Sequence, residues 1–119
     1  MRRELASRLR IIQLFDTYGR LLSARQRHLL RLYYHDDLSL GEIAERQAVT
    51  RQAVFDVLRR STEEMERLEH SLQLVAARRQ VNAQLDVLAE AVRRLGERVG
   101  AEAVAEVESA LAALRRAAG

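Results

Sequence analysis

The sequence predicts an all-α fold organised around a helix-turn-helix, and three observations carry that expectation. The 119 residues include no proline and only five glycines, so little interrupts a helix, and aromatic residues make up just 4%, too few for a sheet. Alanine, leucine, arginine and glutamate dominate, residues that lose little freedom in a helix. Apolar residues recur at three- and four-residue steps along most of the chain, and three of these runs start at a serine or threonine able to cap a helix.

The elements follow in order. Leu5, Leu9, Ile12, Phe15 and Leu22 share a helical spacing, which predicts a first amphipathic helix over about residues 3–21. Ser23 is placed to cap a second helix with Leu29, Leu30, Leu32 and Tyr33 as apolar positions, ending near His35-Asp36-Asp37. Ser39 caps the next, and Glu42 three residues on completes the spacing of a capping box. A short helix, Leu40 to Gln47, then gives way to a turn at Ala48-Val49, and Thr50 caps a further helix starting at Arg51. Val54, Val57, Leu58, Met65, Leu68, Leu72 and Val75 continue an apolar stripe, so this helix is expected to run to the mid-seventies.

The last third has a different texture. Leu85, Leu88, Val92, Leu95 and Val99 step by heptad spacing, as do Val104, Val107, Leu111 and Leu114, with Gly100 between them at a natural helix end. They predict a helical hairpin, with Gly96 as an alternative break. Two domains result: residues 1–75, a helix-turn-helix domain with its motif at 40–59, and residues 76–119, a helical hairpin. Its seams close on each other, on the long helix, or on a second copy to make a homodimer.

The motif carries the functional information. Ala44 is small where the first helix crosses the second, Ile43 is core, Val49 follows the turn, and Val54, Val57 and Leu58 face inward. Ala48 stands where many such motifs place glycine to reach a left-handed backbone, a costlier choice. With Val54 and Leu58 inward, Gln52, Asp56, Arg59 and Glu63 point away from the core, flanked by Phe55 and Arg60. The start of such a helix contacts base edges in the major groove of duplex DNA. Arg51 suits guanine and Gln52 adenine. Thr50 is placed for a phosphate, and Arg59 and Arg60 for the backbone. Phe55 either meets a thymine methyl or packs on a neighbouring helix. Asp56 and Glu63 weaken attraction to phosphate and pair with the arginines one turn away.

Two resemblances rest on these residues. The stretch from Arg25 to Leu68, above all LSLGEIAERQAVTRQAVFDVLRRSTEEM, resembles region 4 of bacterial sigma factors, although the chain before it is too short for a complete sigma factor. The sequence is more similar to the YlxM family of small bacterial helix-turn-helix proteins. That likeness rests on LFDTY at 14–18 with Leu21-Leu22, on LYYHDDLSLGEIAE at 32–45, and on TRQAVFD at 50–56, and it covers roughly residues 5–75. The resemblance implies a regulator linked to the signal recognition particle pathway through its gene neighbourhood. It also implies that Asp56 belongs to the motif, so that Asp56 and Glu63 face a partner, the particle's protein or its RNA.

Other function classes find little support. The chain has no cysteine, which excludes disulfides and thiolate metal sites. His28, His35 and His70 are scattered, and His35 beside Asp36-Asp37 reads as a solvated turn rather than a metal site. Glu63, Glu64, Glu66 and Glu69 read as an exposed helix face balanced by Arg60 and Arg67. No phosphate loop, nucleophile elbow or HExxH string occurs, so no enzyme, cofactor or metal is expected. Without a signal peptide or an apolar run of about 18 residues, a cytoplasmic protein with no membrane contact is expected. The net charge is +3, with arginine as the basic residue throughout, a weak electrostatic footprint for a nucleic-acid binder. A purely structural oligomerisation module is the remaining alternative.

Overall fold

A computed structural model describes residues 2–119, and it is all-α, with no strand among the described residues. The chain divides after Gln73 into two compact units, each described by itself.

In the first unit, α1 spans Arg2–Tyr18 and passes into a 3-10 turn at Gly19–Leu21. Its buried residues are Leu14 and Tyr18, followed by Leu22 beyond the turn. Leu5 and Leu9, expected on the buried stripe, are exposed. Helical spacing identifies a stripe, but burial needs a neighbour, and only the C-terminal half of α1 is buried. The short helix α2, Ala24–Leu30, starts at a capping box. The Ser23 hydroxyl accepts from the Gln26 N–H at 3.2 Å, and the Gln26 side chain accepts from the Ser23 N–H at 2.8 Å. Leu29, Leu30 and Leu32 enter the core. The chain then widens into a π-helical turn, Arg31–His35, with the Asp36 N–H bonded to the Arg31 carbonyl at 2.9 Å. Asp37, left-handed at φ 57°, ends it.

Helix α3, Leu40–Gln47, carries the capping box of Ser39 and Glu42. Its buried residues, Ile43 and Ala44, are those the motif requires. Ala48 turns the chain at φ 54°, ψ 45°, and the Val49 N–H returns to the Ala44 carbonyl at 3.0 Å. Thr50 caps α4, Arg51–Leu72, which buries Val54, Leu58, Ser61, Met65 and Glu69. These steps of three and four keep one face on the core. The expected continuation to the mid-seventies does not occur. Gln73 is left-handed at φ 53° and ends α4.

The second unit is a hairpin of α5, Leu74–Val99, and α6, Ala101–Ala118. The turn falls at Gly100, whose φ of 96° is unfavourable for any residue with a side chain. Gly96 does not break α5. It marks a close approach instead, since a Cβ there would stand 2.9 Å from Val104 Cγ2. Alternate seam positions are used: Leu85, Val92, Val104 and Leu111 are buried, and Arg115 reaches Asp86 across the hairpin at 2.7 Å. Leu88, Leu95, Val99, Val107 and Leu114 remain about half exposed, from 47% to 55%.

Candidate nucleic-acid interface

The exposed face of α4 starts at its cap. Thr50 Oγ1 accepts from the Ala53 N–H at 3.0 Å, which leaves the hydroxyl hydrogen to donate outward. The guanidinium of Arg51, the first helical residue, lies across Gly41 in the first turn of α3. A Cβ at position 41 would come within 2.8 Å of Arg51 Nη2 and 3.0 Å of Nε. Gly41 thus makes room for an arginine ten residues later. The sequence does carry a signal for this, since a glycine inside an eight-residue helix is costly without a packing reason.

Gln52 Nε2 donates to Asp56 Oδ1 at 3.0 Å, one turn along. Arg59 lies 3.9 Å from Asp56 and donates to Glu63 at 3.1 Å. Gln52, Asp56, Arg59 and Glu63 therefore form one chain of contacts along the helix. Arg60 is exposed and takes no ion pair among the described residues. Phe55 is 46% exposed, so the ring stands on the surface rather than inside a helix contact. Glu63 is exposed and Asp56 half-buried.

The acidic cluster of α4 does not form the open face expected. Glu64 accepts from Gln26 of α2 at 3.2 Å, and Glu66 takes both ends of the Arg10 guanidinium at 3.2 and 2.9 Å. That hydrogen bond raises the Arg10 pKa. Glu69 is only 7% exposed and accepts from the Tyr18 hydroxyl at 2.6 Å. These partners come from α1 and α2, not from Arg60 and Arg67. Three of the acids therefore hold the unit together and leave Glu63 on the free face.

The tyrosine pair is also structural. The Arg8 guanidinium lies 5.5 and 5.2 Å from the Tyr33 and Tyr34 ring centres. It donates to both backbone carbonyls and to Asp37. Burial pushes the Tyr34 phenol up from its ordinary pKa. At α3, backbone and side-chain hydrogen bonds with Ser39 hold the Glu42 carboxyl below the usual range, which favours the charged form at a helix N-terminus. His35 packs 5.7 Å from the Phe15 ring.

A capped α3, a left-handed turn at Ala48 and a capped α4 with an exposed polar leading edge define a helix-turn-helix protein. Residues 5–100 match the family model described as "Putative helix-turn-helix protein, YlxM / p13 like", UPF0122, and the chain belongs to that family. A UPF0122 protein of Latilactobacillus sakei subsp. sakei is 49% identical over 85 residues, covering 71% of this chain and 75% of that protein. One from Symbiobacterium thermophilum is 42% identical over 106 residues, covering 89% and 92%. One from Halalkalibacterium halodurans is 46% identical over 84 residues, covering 71% and 77%. No helix among the described residues is long and apolar enough to cross a membrane.

Proposed function

We propose that this protein is a regulator that binds duplex DNA through the leading edge of α4, laid in the major groove. Thr50 donates to a phosphate, Arg51 and Gln52 meet base edges, Phe55 contacts a thymine methyl, and Arg59 and Arg60 take the flanking backbone. The observation that carries this reading is the Gln52–Asp56 hydrogen bond. It occupies one amide hydrogen of Gln52 and leaves Oε1 and the second hydrogen for the paired donor and acceptor of adenine.

The protein acts as a homodimer in the cytoplasm. The half-exposed seam of the hairpin supports self-association, because five leucine and valine side chains at heptad spacing lack full cover. The setting in the signal recognition particle pathway rests on the family resemblance.

The test is a titration of the purified protein against genomic duplex, the particle's RNA and the particle's protein, at low and physiological salt. Saturable, salt-sensitive binding to a subset of duplexes supports a DNA regulator. Capture of only the particle's RNA or protein supports a second reading, and for a protein partner the half-buried Asp56 and exposed Glu63 favour it by placing two carboxylates along this side of α4. In that reading the same face docks on the particle without reading DNA.

A further inference from the structure

The positive charge of the first unit is not where the motif would place it. Helix α4 carries Arg51, Arg59, Arg60 and Arg67 against Asp56, Glu63, Glu64, Glu66 and Glu69, so its own charge is negative. By contrast, residues 17–35 carry Arg20, Arg25, Arg27, Arg31 and two histidines without one carboxylate. A binder of nucleic acid draws a large share of its affinity from phosphates, and this segment offers positive charge that no carboxylate of its own offsets.

Part of that charge surrounds a cavity of about 210 Å³ lined by Phe15, Asp16, Gly19, Arg20, Arg27 and Arg31. Arg27 is pinned at its rim, donating through Nη1 to the Leu22 carbonyl at 3.1 Å, with its other donors left over. The Arg31 guanidinium stands 5.9 Å from the Phe15 ring centre, and Gly19 lets that ring lie close to the turn. Arg27 and Arg31 are one turn apart and repel each other. On α4 and α5, Arg59 is answered by Glu63 and Arg93 by Glu90 and Glu97, whereas Arg60 takes no ion pair among the described residues. Among the described residues no carboxylate forms an ion pair with Arg20, Arg27 or Arg31, although Asp16 lines the cavity. The arrangement has the form of an anion seat: three guanidiniums and one carboxylate around a cavity with room for a phosphodiester group.

His28, next to Arg27, bonds Gln47 at 3.3 Å, which brings α2 beside the end of α3 and the turn leading to Thr50. We infer that Arg20, Arg27 and Arg31 seat a backbone phosphate of the duplex whose bases meet α4, so that α2 supplies affinity and α4 supplies discrimination. This inference rests on the duplex-binding reading.

The experiment measures binding of genomic duplex fragments across a salt series for the natural protein, an Arg20→Ala/Arg31→Ala variant and an Arg98→Ala control on the hairpin. Arg27 is left intact because it bonds backbone. Loss of one phosphate contact is expected to reduce the slope of log affinity against log salt by about 1 and to weaken all duplexes by the same factor. Arg98→Ala leaves the slope unchanged, and circular dichroism confirms equal helicity. A double variant with the natural slope and affinity overturns the phosphate seat while duplex binding stands. An effect no larger than that of Arg98→Ala also overturns it, as bulk charge alone. If the natural protein binds no duplex, the reading of α4 and this inference fall together.

Discussion

Gln52 and Asp56 are joined at 3.0 Å, one turn apart on the exposed side of α4, and the bond gives an acid a constructive role on a face proposed to meet DNA. A free glutamine side chain samples many rotamers, and ordering them on binding costs affinity. Held by Asp56, the amide is oriented before a base arrives, while the carboxylate repels phosphate in general. In the proposed duplex-binding role, the pair exchanges affinity for discrimination.

Removing the carboxylate should separate those two effects. In Asp56→Ala, binding to arbitrary duplex is expected to tighten, because one negative charge leaves the interface. Preference for the favoured duplex is expected to fall by about 1 kcal/mol, the lower end for a bidentate base contact. Competition titrations with favoured and scrambled duplexes check both at once. Equal preference in the two proteins would show that Asp56 does not position Gln52 for reading.

Gly41 offers a case where stability and binding should part. Alanine at a helical position is favoured over glycine by about 1 kcal/mol, and the atoms nearest the new methyl are those of the flexible Arg51 guanidinium. Gly41→Ala is therefore expected to raise the thermal midpoint while displacing the Arg51 guanidinium and weakening duplex binding as Arg51→Ala does. A denaturation curve and a titration on the same sample decide it.

Ala48 holds a left-handed conformation that costs a residue with a Cβ roughly 1–2 kcal/mol. Glycine relieves that strain but has more freedom to lose on folding, returning roughly 0.4–1 kcal/mol to the unfolded state. Ala48→Gly is expected to stabilise the protein by about 0.5–1 kcal/mol in urea unfolding. Ala48→Val, β-branched, is expected to destabilise it by more than that.

The hairpin predicts a weak dimer. Completing the burial of Leu88, Leu95, Val99, Val107 and Leu114 in both copies is worth about 1 kcal/mol each, half of a full burial, or about 10 kcal/mol in all. Association costs about 4–15 kcal/mol, so at the low end of that cost the dissociation constant falls in the tens of micromolar, about 6 kcal/mol. Sedimentation over a concentration series should show dimer, and Leu88→Arg/Leu95→Arg should be monomeric with unchanged helicity. A natural protein that stays monomeric at several hundred micromolar would rule self-association out.

Composition and short-range chemistry were sufficient for the all-α class, the caps at Ser23, Ser39 and Thr50, the turn at Ala48 and the break at Gly100. Each depends on residues within about four positions of one another, where serine, threonine and glycine act directly on neighbouring backbone. The same locality made the exposed face of α4 legible, since residues 52, 56, 59 and 63 line up by helical geometry alone.

The features that escaped that view join residues far apart. Tyr18 and Glu69 are 51 positions apart, and their bond makes an acid whose charge suggests a solvated face into a buried tie between α1 and α4, at a position that helical spacing puts on the core side. Gly41 acquires its meaning from Arg51, and Gly96 from Val104. The end of α4 at Gln73, with no proline or glycine to announce it, and the exposure of Leu5 and Leu9 are likewise invisible to helical spacing. Periodicity describes which side chains share a face. Whether that face meets another helix, a distant charge or water depends on the packing of the folded unit, and there burial and pairing outweigh local propensity.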